Sequence, residues 1–281
     1  MRRIAIHLGR VVLIVFLSGL ACALLARFSP GSTVDERELN PKAGEDSIAE
    51  LRHHKESTVA DGLVQYFRGL SKGDLGYSES TNAPIAALIA DRAPPTLREL
   101  AWGLLGGWLF GLAFAIPAGR FERAAAYDAV SALGAGFLLS LPAALIAYLC
   151  FLAGAAPAII LVLVVAPKIF QFSKGLLRQA YTLGHVEAAR ARGIGELRIF
   201  FAHVLPAAGP QWIALAAASL SIAIGAAIPM EAICDIPGLG RLAWQAATAR
   251  DLPLLVNLTM LIAIVTSAGA ALSEIVSEQR I

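Results

Sequence analysis

The sequence predicts an all-α polytopic membrane protein with six transmembrane helices and a polar subdomain between the first two spans. Three observations predict it. Of 281 residues, 57% are hydrophobic and 16% charged, with a mean hydropathy of +0.66, whereas an ordinary soluble domain carries roughly 25% charged residues. The apolar residues fall into charge-free runs near the roughly 20 residues that a helix needs to cross a hydrocarbon core. The charges between runs are biased toward one side. A net charge of +2 supplies no basic field for nucleic acid, and so oily a chain is not disordered. Cys22, Cys150 and Cys234 form no plausible disulfide or metal framework.

The first run, Val11 to Ala26, follows Arg2, Arg3 and Arg10. It reaches spanning length once Leu8, Gly9 and the Arg10 stem are included. A basic head before a short apolar run is also the pattern of a cleaved signal peptide, but more spans follow, so a retained helix is expected. Leu100 to Gly119 is the second run. Its Gly103, Gly107 and Gly111 recur every fourth residue, which lets a neighbouring helix approach closely. Ala129 to Pro167 holds 39 uncharged residues, too many for one span. Gly154-Ala155-Ala156-Pro157 divides it into two helices, and Pro142 kinks the first. His203 and Glu231 bracket the fifth span, and Leu252 to Ser273 is the sixth. Ser219 and Ser221 in the fifth can face a solute or bond a neighbouring helix.

With an even number of spans both termini share a side. Segments 1–10, 119–128, 168–203 and 274–281 hold 12 basic and 6 acidic residues, against 11 basic and 15 acidic on the other side. The excess of Lys and Arg predicts that both termini are cytosolic. The outer segment Ser29 to Glu99 is polar, and Asp61 to Leu70 within it reads as a short amphipathic helix.

Enzyme motifs are weak or missing. No Gly-x-x-x-x-Gly-Lys-Ser/Thr phosphate loop and no His-Glu-x-x-His occurs, so an energy source belongs to another chain. Gly69-Leu70-Ser71-Lys72-Gly73 fits a nucleophile pattern, but no hydrophobic strand precedes it. The pair His53-His54 has no shared helical face.

Ser173 to His203 is the long basic segment on the inner side. Leu176, Leu177, Ala180, Leu183 and Ala188 mark one helical face, Gly193 permits a turn, and Leu197, Phe200, Phe201 and Val204 mark a second helix. Ala188, Ala189 and Ala191 make the first helix narrow enough for a groove on a partner, with Glu187, Arg190 and Arg192 at the rim. A hairpin lying on membrane lipid satisfies the same composition.

Glu187-Ala188-Ala189-Arg190-Ala191-Arg192-Gly193, followed by His203-Val204-Leu205-Pro206, resembles the Glu-Ala-Ala loop of inner-membrane permease subunits of ABC importers, in the dipeptide, oligopeptide and nickel branch. Gly73-Asp74-Leu75-Gly76-Tyr77-Ser78, Arg92-Ala93-Pro94-Pro95-Thr96-Leu97, Ile236-Pro237-Gly238-Leu239-Gly240-Arg241-Leu242 and Arg250-Asp251-Leu252-Pro253 are similar to further motifs of that family, in its order. The resemblance implies a type I ABC importer transmembrane fold: a first helix with its tail over 1–28, an outer subdomain over 29–95, and a permease core over 96–281. It implies a coupling hairpin over 173–203 and an outer loop over 231–251. It assigns Glu187, Ala188, Ala189 and Gly193 to the ATPase-coupling loop, and places Asp235, Pro237, Gly238 and Gly240 near the gate or a binding protein. It implies no cofactor in this chain, with ATP and Mg on two partner ATPases, a second homologous permease, an extracytoplasmic solute-binding protein and surrounding lipid, and no nucleic acid. The expected location is a prokaryotic inner membrane and the expected cargo a small solute, a peptide first and nickel second. Ser32 and the chain end Ser277-Glu278-Gln279-Arg280-Ile281 depart from the family pattern. A six-span secondary transporter or channel is the alternative; it more often carries ionisable groups inside the membrane, and the span interiors read as free of charge.

Overall fold

The computed structural model describes residues 2–28, 74–120 and 125–278. Ser32, His53, His54, Ser71, the proposed helix Asp61–Leu70 and the last three residues lie outside them. Apart from one β-bridge between Tyr77 and Pro84, the described elements are helices: α1 (Arg2–Phe28), α2 (Ile85–Arg120), α3 (Ala125–Ser140), α4 (Ala143–Leu152), α5 (Pro157–Tyr181), α6 (Gly184–Ala191), α7 (Glu196–Ile199), a π-turn (Phe200–Val204), α8 (Leu205–Ile233), α9 (Leu239–Thr248) and α10 (Leu252–Glu278). Among the described residues five helical segments are long and apolar enough to span a membrane. The pair α3 and α4 makes a sixth, bent by 98° at the break before Ala143. The kink expected at Pro142 is thus a full break, because Pro142 starts a new helix as its N-cap in extended conformation.

Helices α2 and α5 form the central pair. Side chains of α5 fill the surface notches left by the glycines of α2: Leu161 lies over Gly103 and Ile169 over Gly111, each too close to admit a Cβ there, and Val165 packs tightly over Gly107. The four-residue spacing therefore marks the α2–α5 seam. Helix α8 packs against α4, α5 and α10, and its Leu215, Ala223, Ala226 and Met230 join Leu161, Val165 and Ile169 in the main core. Ser219 Oγ accepts a hydrogen bond from Trp108 Nε1 at 3.1 Å, so it fastens α8 to α2. Helix α1 lies along α10, with Met260 over Gly19 and Arg10 bonded to Glu274 at 3.1 Å.

One expectation changes. Helix α2 begins at Ile85, well before the expected boundary at 95/96, and runs through Pro94 and Pro95. Tandem prolines read as a helix start because proline suits the first turn. Here Ile85, Leu88 and Ile89 pack against Leu242, Leu254 and Leu258, and that burial holds the two preceding turns.

Candidate functional site

Functional candidates gather at the two ends of the bundle. At one end, α5 stops at Tyr181, and the Thr182 hydroxyl donates back to the Gln179 carbonyl at 2.9 Å. Leu183 is extended and α6 then runs for eight residues, so the first arm of the hairpin is two helices where one was expected. Val186 and Ala189 turn inward onto Leu177, Ala180, Ile199 and Val204. Glu187, Ala188 and Gly193 are exposed, whereas Ala189 is only 4% exposed. Three of the four predicted coupling residues therefore present a surface, and Ala189 packs the hairpin from within. Gly193 adopts φ +75°. Its N–H donates to Arg190 O at 3.0 Å and that of Ile194 to Ala189 O at 3.2 Å, the paired closure that ends a helix on a left-handed residue. Arg190 pairs with Glu196 across this turn at 3.0 Å. The return arm opens with α7 and the π-turn just ahead of Pro206, whose ring would crowd a carbonyl in a regular turn.

At the opposite end two buried carboxylates organise the chain. Glu231 is 0% exposed. Its Oε1 accepts from the Thr96 hydroxyl at 2.6 Å, and its Oε2 accepts from the N–H groups of Gly240 at 2.7 Å and Arg241 at 3.1 Å. Thr96 Oγ1 in turn accepts from Leu239 N–H at 2.7 Å. The N-terminus of α9 thus meets the Glu231 carboxyl oxygens, which accept from N–H groups that have no partner within the helix. Asp251 is 1% exposed. It accepts from the Ser78 and Ser80 hydroxyls, from Ser80 N–H at 3.0 Å and from Leu254 N–H at 3.1 Å. Burial alone would push its carboxyl up, but these donors outweigh it and hold the group below the usual carboxylate range.

The four predicted outer-loop residues divide. Asp235 and Pro237 are exposed, and Asp235, at φ +56°, pairs with Arg241 at 2.6 Å. Gly238 and Gly240 are buried. A Cβ at Gly238 would fall on the Glu231 carboxylate, and one at Gly240 would meet the α8 backbone at Ala227 and Ile228. These two glycines serve close approach, and the left-handed residue of the turn is Asp235. Sequence reasoning missed Glu231, Thr96, Asp251, Ser78 and Ser80 as partners. Thr96, Asp251 and Ser78 lie inside the quoted motifs, so the motifs pair in space: Arg92–Leu97 with Ile236–Leu242, and the described Asp74–Ser78 with Arg250–Pro253.

Between α2, α3 and α5 lies a cavity of about 580 Å³ lined by Phe110, Phe114, Tyr127, Leu138, Val162 and Phe170 among others. Tyr127 spends its hydroxyl on Phe114 O at 3.2 Å. A lining this apolar offers no partner for the charged ends of a peptide.

Residues 107–278, more than half of the chain, match the family of binding-protein-dependent transport system inner membrane components. The chain belongs to that family. It is a multi-pass permease subunit of an ABC importer. It is similar to a putative peptide permease protein of Brucella suis biovar 1, at 25% identity over 93% of this chain and 91% of that protein. A probable peptide ABC transporter permease protein of Sinorhizobium fredii is 22% identical over 91% of this chain and 90% of its own. A glutathione transport system permease protein of Shigella flexneri is 26% identical over 68% of each chain. In fold, the permease resembles a chain of the MetNI methionine ABC transporter in an inward-facing conformation, with a TM-score of 0.57 at 22% identity, over 67% of this chain and 96% of that one.

Proposed function

We propose that this permease forms, with a second homologous permease, a membrane path for small peptides, and couples passage to ATP hydrolysis on two partner ATPases. Family membership with peptide and glutathione permeases among the relatives supports the cargo class. The observation that carries the coupling role is the hairpin end. A short helix with exposed Glu187 and Ala188, closed by Gly193, projects between the two long helical arms α5 and 196–233. This end is cytosolic by its basic excess, which puts both termini in the cytosol. ATP and Mg belong to the partner chains. ATP-driven closure of the ATPases moves the hairpin as a rigid body, and α5 and α8 swing with it between inward and outward openings. Asp235 and Pro237, exposed at the outer end, face a solute-binding protein.

The test is a tagged chain purified from its own membranes in mild detergent, with Cys22, Cys150 and Cys234 replaced and Ala188→Cys introduced. An ABC ATPase is expected to co-elute and to crosslink through position 188. Absence of any ATP-hydrolysing partner overturns the reading. Uptake of a labelled peptide, against nickel as competitor, decides the cargo.

A further inference from the structure

We propose that Glu231 is a positioning residue that ties the outer helix α9 to the long arm of the coupling hairpin, so that load on α9 reaches the ATPase end through one continuous rod. This rests on the coupling role proposed above. Residues Glu196–Ile233 form one helical segment of 38 residues, about 57 Å long at 1.5 Å per residue. It begins three residues after Gly193 and ends two after Glu231. The same rod therefore carries the hairpin at one end and the buried carboxylate at the other.

At that second end α9 has no freedom of its own. A helix start leaves backbone N–H groups without intrahelical partners. Here those of Leu239, Gly240 and Arg241 all donate to side chains of other elements, Thr96 of α2 and Glu231 of α8. The Gly238 N–H closes on Ile236 O at 2.8 Å. The packing leaves no slack, because Gly238 lies against the carboxylate and Gly240 against the α8 backbone. An apolar side chain at 231 could fill the volume, but it would strand the buried donors of Thr96, Gly240 and Arg241 without partners. Tilting α9 against α8 breaks the same bonds, so the two move together and carry the end of α2 with them. The opposite face of α9 is free to take load: Trp244, Gln245 and Thr248 are exposed, while Leu242, Ala243 and Ala246 are buried.

The experiment uses the whole transporter in lipid nanodiscs with its binding protein. The readout is the ratio of ATP hydrolysis with solute-loaded binding protein to hydrolysis without it, per assembled complex. Thr96→Val keeps the side-chain volume and removes both the donor to Glu231 and the acceptor for Leu239; Thr96→Ser keeps both. The ratio is expected to fall about fivefold or more in Thr96→Val and in Glu231→Ala, and to be kept in Thr96→Ser. Amide exchange at residues 239–241 is expected to be slow in the wild type and fast in Thr96→Val, which reports on the tie even where Glu231→Ala does not assemble. An unchanged ratio in Thr96→Val overturns the proposal, as does loss of complex with the ratio kept, which would make the cluster structural only. A wild-type chain that brings no ATPase with it overturns this role together with the coupling role.

Discussion

At Gly193 and at Arg250 the chain ends a helix in the same way. In each case a left-handed residue is followed by an N–H that closes on the carbonyl five residues back, Ile194 on Ala189 and Asp251 on Ala246. At the hairpin end the left-handed residue is a glycine, and the turn faces solvent with one exposed ion pair beside it. At the far end it is an arginine at φ +57°, a conformation that costs a side-chain-bearing residue roughly 1–2 kcal/mol. Asp235, at φ +56°, ends α8 there by the same closure. The far end holds these conformations because two buried carboxylates fix the chain around them. The difference separates an exposed turn closed by a glycine from a buried frame in which the carboxylates of Glu231 and Asp251 hold donors from four other stretches of the chain.

The comparison is broken most severely by filling the frame. Gly240→Leu drives a side chain into the α8 backbone at Ala227 and Ile228, and is expected to destabilise the protein by about 3 kcal/mol or more. Thermal unfolding in detergent would read this as a large loss of melting temperature or of assembled protein; a variant as stable as wild type would show that α9 is not seated on α8. Asp251→Ala comes next. It strands the donors of Ser78, Ser80 and Leu254, for a cost of about 2–3 kcal/mol. The same carboxylate carries a pH signature. Its native pKa lies below its unfolded value, so its contribution is complete above that unfolded value of about 4 and is lost as pH falls through the native pKa. The melting temperature should hold from pH 7 to about pH 5 and drop below about pH 4, and Asp251→Asn should remove that part of the drop.

How much of this was legible in the sequence follows the same division. The spans, the α2 glycine seam and the turn at Gly193 could be read because each is local: a run length, a four-residue spacing, a glycine where a left-handed residue is needed. The motifs of the far end were visible, but their purpose was not. Thr96 and Glu231 lie 135 residues apart in sequence, and Ser78 and Asp251 lie 173 apart. No periodicity encodes such a meeting. Pro-Gly is a common turn pair, yet the left-handed residue here is Asp235 and Gly238 is there to clear a carboxylate. Ala189, grouped with Ala188 by its size, turns into the hairpin core while Ala188 stays exposed, because successive helical residues point about 100° apart.

A milder change sharpens the comparison at the hairpin. Gly193→Ala keeps the turn but places a Cβ at φ +75°, and should cost about 1 kcal/mol. No atom lies within 4 Å of that Cβ position, so the cost is conformational, with no clash added. A loss of a few degrees in melting temperature is expected, against the far larger loss for Gly240→Leu. Equal losses for the two glycines would erase the distinction between a turn requirement and a packing requirement.

The smallest effect on stability belongs to Glu187→Lys, and it is the most informative about function. Glu187 is exposed on α6, so the substitution should shift stability by no more than about 0.5 kcal/mol. It reverses a charge on the surface proposed to meet the ATPase. If that surface is the docking face, the purified chain melts as wild type does while peptide uptake and stimulated ATP hydrolysis fall together. Were both activities to persist at wild-type levels, the exposed face of α6 would not be the contact, and the coupling surface would have to be sought on the return arm, where Leu197 and Phe201 are also exposed.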